Sequence, residues 1–305
     1  MAVMVCVLSV SCGKKEKAGS KGKIAVITSL FPLYDFARNI GGDKVEVSLL
    51  LPAGVEAHSF EPRPADIVRI NEADMFIYTG KFMEPWVDEI VKSVTNKNLS
   101  VVDSSAGVTL ISQEEFPDEE EHAHHHGGAE DPHIWLDFSN AQKMVNNICE
   151  AMIKKDPANK ALYLEKAADY NAKLSSLDEE YRTALAGCRQ HTVIYGGHFA
   201  FGYMAKRYNL KFICAYRGFT PDAEPTPKSL AELVDKIKQL DAGYIYYEEL
   251  ISPKVAETLS EETDAMLLPL NSAHNVSKDA LAEGAGFISI MKKNLENLKM
   301  GLDCQ

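Results

Sequence analysis

The 305-residue chain contains nine histidines, at positions 58, 122, 124, 125, 126, 133, 191, 198 and 274. Three of them share a local context. His58 lies in Pro52-Ala-Gly-Val-Glu-Ala-His-Ser-Phe-Glu-Pro62, His133 in Asp131-Pro-His-Ile-Trp-Leu-Asp137, and His198 in Gly196-Gly-His-Phe-Ala-Phe201. Each follows an expected strand or lies in a connection leading into a helix, where α/β folds present ligand groups. Three neutral imidazoles suit a borderline-soft first-row metal, and Zn²⁺ takes such nitrogens at about 2.0–2.1 Å in tetrahedral geometry. Taken singly, each of the three reads more readily as a surface or hydrogen-bonded structural histidine. They are far apart in sequence, with neither an i, i+4 pair nor an H-E-x-x-H segment to tie them together.

The elements that must position these residues alternate. Short apolar runs at Lys23–Thr28, Val45–Leu51, Met75–Tyr78 and Leu99–Asp103 read as strands, and helical patterns at Leu33–Ile40, Pro64–Ala73 and Pro85–Ser93 lie between them. Residues 106–131 interrupt the rhythm and read as a mobile loop rich in Glu, His and Gly; Phe138–Lys154 resumes as helix. From Asp156-Pro157 to Leu185 there is no Gly or further Pro, and Leu164, Ala167, Tyr170, Leu174, Leu177, Tyr181 and Leu185 recur at threes and fours. That pattern predicts one amphipathic helix of roughly 40–45 Å, long enough to pass between domains. The second half repeats the alternation, with strands at Thr192–Tyr195, Leu210–Ala215, Gly243–Tyr247 and Met266–Leu270, and helices at Phe199–Tyr208, Pro227–Leu240, Pro253–Glu262 and Gly284–Met300. The expected fold is α/β: two lobes, each a small, mostly parallel sheet flanked by helices, joined by one long rigid helix. The expected divisions are an N-terminal lobe at 24–155, the linking helix at 156–187 and a C-terminal lobe at 188–305. A cleft between lobes is the default ligand site.

Composition narrows the function classes. Hydrophobic residues make up 46% and charged residues 25%, an ordinary globular balance, and the formal charge is −12. An acidic surface of this kind argues against nucleic acid as a partner and equally serves solubility. Met1–Ser11 is apolar and Cys12 opens a Lys-, Gly- and Ser-rich run to Lys23. This has the look of a lipoprotein-type signal segment (1–12) followed by a flexible tether (13–23), with Cys12 carrying lipid. An N-terminal strand or a misplaced start is the alternative, since no basic residues precede the apolar stretch. Cys149, Cys188, Cys214 and Cys304 are scattered without C-x-x-C spacing, so free buried thiols are expected of them, although an export compartment would permit a disulfide.

Set side by side, PAGVEAHSFEP, DPHIWLD, GGHFAFGYMAKRYNL, GFTPDAEPTP, EELISPKVAETLSEET and NLENLKMGL resemble the signature segments of the zinc- and manganese-binding solute-binding proteins of bacterial ABC importers, the cluster A-I or ZnuA/TroA-like family. The resemblance runs from Ile24 to Leu302. It implies that His58, His133 and the residue at position 198 hold a metal ion. Manganese-type members tend to carry a carboxylate at the third position, so His198 shifts the expectation to the zinc branch. Glu119–His126 (EEEHAHHH) resembles the His-rich loop of zinc members, either collecting zinc or standing as a solvated loop.

The family's fourth ligand is an acid from the second lobe, or a water. In Leu268-Pro-Leu-Asn-Ser-Ala-His-Asn-Val276 that acid is absent. His274 can take its place; water is the alternative, a helix-capping role for His274 is the plainer one, and Glu248 is the weaker candidate, read as supporting a ligand from behind or packing the lobe. Glu56, Glu61, Asp131 and Asp137 are close enough in sequence to accept the second N–H of a ligating histidine, and Trp135, Phe199 and Phe201 to wall the site. The implied function is extracytoplasmic capture of Zn²⁺ by a monomer and delivery to an ABC permease with its ATPase, the ion being cargo. The chain lacks the G-x-x-x-x-G-K-[ST] loop of an ATPase. Other readings are a manganese-binding member, a zinc hydrolase with a His₃–water site, and an adhesin. The first reading makes the chain a carrier, not an enzyme, whose affinity falls as the imidazoles protonate toward pH about 6.

Overall fold

The computed structural model describes residues 22–112, 115, 130–216, 218–219, 225–250 and 252–304. The signal segment with Cys12, most of the tether, and the His-rich stretch at 119–126 lie outside them.

The first sheet is built from β1 (Ile24–Thr28), β2 (Val45–Leu49), β3 (Met75–Tyr78) and β4 (Ser100–Asp103). All pairings are parallel, in the order β2-β1-β3-β4. Helices α1 (Phe31–Gly41), α2 (Pro64–Glu72) and α3 (Val87–Ser93) make the crossovers, and α4 (Phe138–Lys155) follows. The long helix α5 spans Lys160–Ala186, 27 residues, or about 40 Å at the usual rise. The second sheet repeats the plan: β5 (Thr192–Tyr195), β6 (Lys211–Cys214), β7 (Tyr244–Tyr247) and β8 (Met266–Pro269), in the parallel order β6-β5-β7-β8. Its helices are α6 (Gly202–Tyr208), α7 (Pro227–Gln239), α8 (Lys254–Thr263), α9 (Lys278–Ala282) and α10 (Phe287–Gly301). Sequence chemistry accounts for several starts: Pro64 and Pro227 occupy first-turn positions, Asp137 accepts from the Ser139 N–H at 2.7 Å, and Thr226 accepts from the Ser229 N–H at 3.1 Å. Among the described residues no helix is long and apolar enough to cross a membrane.

Side-chain alternation along the strands sorts the core into layers. Val26, Met75, Ile77, Val193, Tyr195 and Tyr246 point to one large cluster; Ile27 and Phe76 point instead to a small cluster with Ile70, Val87 and Ile90, and Ile194 and Ile245 to another with Leu233, Ile237 and Leu259. Two-faced burial is why these strands read as unbroken apolar runs. The large cluster is continuous through both lobes. Its spine is α5, which packs along α1, α4, α6 and α10. The buried stripe on α5 is Tyr163, Ala167, Tyr170, Leu174, Leu177, Tyr181 and Leu185. Leu164, the expected first member, is 48% exposed; Tyr163 holds the inward position, its hydroxyl donating to Asp156 at 2.8 Å.

Two further expectations are corrected. Cys188 and Cys304 form a disulfide, where free thiols were anticipated. The backbone brings them together: they pair as an antiparallel bridge and Arg189 N–H and Gln190 N–H donate to Asp303 and Leu302 carbonyls. Cys149 and Cys214 take no part in that bond. The described ends of the segment read as a mobile loop are built in. Asp131 N–H donates to Ile111 C=O at 2.8 Å, and the Tyr203 hydroxyl accepts from Ile111 N–H at 3.3 Å while donating to Asp131 C=O at 3.0 Å.

Candidate metal centre

In each sheet the direction of winding reverses, between β1 and β3 and between β5 and β7, and a crevice opens there at the carboxyl ends of the strands. In the first lobe the crevice is filled by the chain itself: buried Glu84 accepts from the Ser29 hydroxyl and from the Thr79 and Gly80 N–H groups at 3.1 and 3.0 Å. In the second, His198 leaves the turn after β5 and Glu248 follows β7 directly. Gly196 and Gly197 let these strand ends close up. A Cβ on Gly197 would stand 2.7 Å from Glu248 Oε2, and one on Gly196 2.8 Å from the Ala256 Cβ.

Four histidines meet where the lobes face one another. His58 Nε2 lies 3.2 Å from His133 Nε2, which lies 3.4 Å from His198 Nε2. Ring centroids are 5.1 Å apart for His58–His133, 5.0 Å for His58–His198 and 5.3 Å for His133–His198. One nitrogen from each of the three fits within a sphere of mutual separations no greater than 4.8 Å. His274 stands farther off and outside that trio, its ring 5.9 Å from His58, 6.2 Å from His198 and 6.5 Å from His133. His133, His198 and His274 are buried, and His58 is half-buried.

Carboxylates set the tautomers. His133 Nδ1 lies 2.8 Å from Asp131 Oδ1, and His198 Nδ1 lies 2.8 Å from Glu248 Oε2. With Nδ1–H donated in each case, both Nε2 atoms present lone pairs to the same point. Two acceptors at 3.4 Å repel unless a cation lies between them. Tetrahedral ligands at zinc–nitrogen bond lengths stand about 3.3 Å apart, which matches the spacings found. The residues therefore fit a divalent ion of this kind.

His274 is aimed by a constrained loop. Ala273 has φ 59°, a left-handed conformation that a residue with a Cβ adopts at a cost of about 1 kcal/mol or more. Its N–H is held by Asn271 Oδ1 at 2.7 Å, Asn271 is held by Asn294, and Ser272 C=O accepts from the Trp135 indole at 2.7 Å. The Ser272 hydroxyl bonds His274 Nδ1. That leaves His274 Nε2 buried with no hydrogen-bond partner, 3.9 Å from Glu248 Oε1 and 4.0 Å from Glu56 Oε1. Asp131 Oδ2 and Glu248 Oε1 are unpartnered too. Burial, then the neighbouring imidazoles, holds His133 and His274 well below the usual histidine range, so both are neutral; burial pushes the Asp131 carboxyl well up.

The remaining expected residues have other roles. Glu56 caps the loop of His58, accepting from the His58 and Ser59 N–H groups at 2.9 and 2.8 Å. Glu61 is exposed, and Asp137 caps α4 and pairs with Arg207 at 3.1 Å. Trp135 packs edge-on against His133, whereas Phe199 and Phe201 pack with Phe212 inside the second lobe. Glu248, the weaker candidate for fourth ligand and otherwise read as supporting a ligand or packing the lobe, stands behind His198; Ser272 was missed. The Gly196-Gly197 pair was the available signal for close packing beside His198.

Two lobes that pool histidines around one buried point define a metal-binding protein of the two-lobed, substrate-capturing class. The chain belongs to the family described as zinc-uptake complex component A, periplasmic (ZnuA), whose model matches residues 26–301. It is 41% identical over 307 aligned positions to the high-affinity zinc uptake system protein ZnuA of Bacillus subtilis, covering 98% of this chain and 96% of that protein. It is 34% identical to the zinc-binding lipoprotein AdcA of Streptococcus pneumoniae, matching 99% of this chain but spanning only 60% of that relative's length. The crystal structure of the Zn(II)-bound ZnuA-like domain of the S. pneumoniae AdcA superposes with a TM-score of 0.79 at 33% identity, covering 92% of this chain and 100% of that one.

Proposed function

We propose that this chain captures Zn²⁺ outside the cytoplasm through His58, His133, His198 and His274 and hands it to an ABC permease driven by its ATPase. The observation that carries the reading is the convergence of three Nε2 atoms at 3.2 and 3.4 Å, with the buried and unpartnered Nε2 of His274 on a ring 5.9 Å from that of His58. An all-nitrogen shell favours zinc over the harder, oxygen-seeking manganese ion. The charges support it as well: four neutral imidazoles leave the +2 of the ion to be balanced by Asp131 and Glu248 behind them. Residues 24–155 and 188–305 act as the two jaws about the helix at 156–187. Cys12 carries lipid that anchors the protein at the membrane, a reading supported by the likeness to the zinc-binding lipoprotein AdcA. The chain is a carrier that works as a monomer and turns over no substrate; a fourth protein ligand leaves zinc no open position for catalysis.

The test is zinc titration of metal-stripped protein against a competing chelator, with manganese in parallel. Tight 1:1 zinc binding, weak manganese binding and a loss of about a hundredfold or more in the His58→Ala, His133→Ala and His198→Ala variants are expected. Robust esterase or peptidase turnover abolished by His198→Ala would instead make the protein an enzyme.

A further inference from the structure

The loop that carries His58 is fastened to the opposite lobe. Between β2 and α2 the chain runs from Leu50 to Arg63 without regular structure. The Asn275 side-chain amide donates to Pro52 C=O at 2.9 Å and to Val55 C=O at 2.8 Å, and Gly54 N–H donates to Val276 C=O at 2.8 Å. Asn275 is buried, and its Oδ1 accepts from Val276 N–H at 2.9 Å, so all the hydrogen-bonding capacity of its amide hydrogens is spent on this junction. Gly54 has φ 83° and open space around its Cβ position, so glycine is there for the turn that turns its N–H toward Val276.

We infer that Asn275 is a positioning residue, a clasp that holds the His58 loop closed over the bound ion and sets the rate at which zinc leaves. The inference rests on the zinc-binding reading above. Three observations lead to it. His58 alone among the four histidines is half-buried, so the way in and out runs past it. One continuous core through both lobes resists wide separation of the halves, leaving loop movement as the cheaper opening. The 271–276 loop is itself pinned by Asn294 and Trp135 and forms the fixed jaw, whereas the backbone bonds within 52–60, Val55 N–H to Pro52 C=O and Phe60 N–H to Ala57 C=O, are local turns that travel with the loop. Asn275 adjoins His274, so the residue that closes the loop and a residue that holds the ion share one segment.

The experiment measures zinc release from the loaded full-length protein into excess chromophoric chelator by stopped flow. Asn275→Asp keeps the side chain's size and the acceptor for Val276 but loses both donors; Asn275→Ala removes the side chain. Asn297→Ala is the control, since it deletes a comparable bond, Nδ2 to Pro269 C=O at 2.7 Å, inside the second lobe. Both Asn275 variants are expected to release zinc at least about tenfold faster, with faster amide exchange across 53–60 and an unchanged cobalt absorption spectrum, while Asn297→Ala stays within about twofold of the parent. Parental release rates in both Asn275 variants, or an equal acceleration in Asn297→Ala, would overturn the clasp. Failure of the parent to bind zinc would instead sink the underlying reading.

Discussion

Asp131 grips His133 twice through one carboxylate oxygen, accepting from its backbone N–H at 2.9 Å and facing its ring Nδ1 at 2.8 Å. The two bonds fix both the path of the chain and the orientation of the ring, with the intervening Pro132 stiffening the turn. Replacing Asp131 by Asn keeps the shape but lets the amide offer an N–H where an acceptor is needed. We expect Asp131→Asn to weaken zinc binding about ten- to a hundredfold, read by chelator competition, with a folded far-ultraviolet spectrum retained.

His274 offers a sharper test of coordination number. Its Nε2 is buried without a hydrogen bond, and the proposed function makes a metal the partner that relieves it. In the cobalt-substituted protein, His274→Ala is expected to weaken the visible absorption characteristic of four protein ligands, as water enters, and to shorten zinc residence. An identical spectrum in parent and variant would remove His274 from the ligand set.

Acidity bears on the same rings. Burial holds His133 and His274 well below the usual range, so these two remain neutral as pH falls past the point where free imidazole protonates. Four imidazoles of ordinary basicity would cost about four decades of zinc affinity per pH unit below about 6.5. With His133 and His274 neutral throughout, the slope should be shallower than that. For His133 and His274 in the metal-free protein, a depressed folded-state value means the unfolded chain takes up protons first, so their share of the stability is full above about pH 6.5 and declines below it, while the raised carboxyls of Asp131 and Glu84 act in the opposite sense. Thermal melts between pH 8 and 5 check the second statement, and zinc titrations over the same range the first.

The disulfide between Cys188 and Cys304 joins the start and the end of the second lobe across 116 residues of sequence. A loop of about that size is worth roughly 4–5 kcal/mol in the chain-entropy account. Reduction, or paired Cys188→Ala and Cys304→Ala changes, should lower the melting temperature by several degrees while leaving zinc affinity close to parental, because the bridge lies before β5 and His198 follows that strand's other end. A large affinity loss would show that the lobe's ends govern the site.

Much of this was readable from the chain. Met75–Tyr78 and Thr192–Tyr195 match the expected strands residue for residue, because central parallel strands are apolar on both faces and leave an unambiguous run. The heptad-like stripe on α5 was legible from Ala167 onward; its first turn was not, since Tyr163 and Leu164 are both large and apolar and only the packed partner decides which turns inward. The short helix at Lys278–Ala282 was missed for want of an apolar period. Local context pointed to His58, His133 and His198, but their convergence depends on loops from two sheets meeting, and no spacing in the sequence encodes it. Asn275 gave no signal at all: its role exists only because the His58 loop comes to lie beside it. The pairing of Cys188 with Cys304 was hidden in the same way, the two residues sitting at opposite ends of a lobe.

The unbroken apolar core threaded by α5 has a consequence for how the protein comes apart. Tyr170, Leu174 and Leu177 lie in a single cluster with Leu33 and Phe36 on one side and Met291 and Leu298 on the other. Neither half can shed its partner without exposing that surface to water. Scanning calorimetry should therefore record one cooperative endotherm, not two, and a fragment ending near Lys155 should remain unfolded when expressed alone.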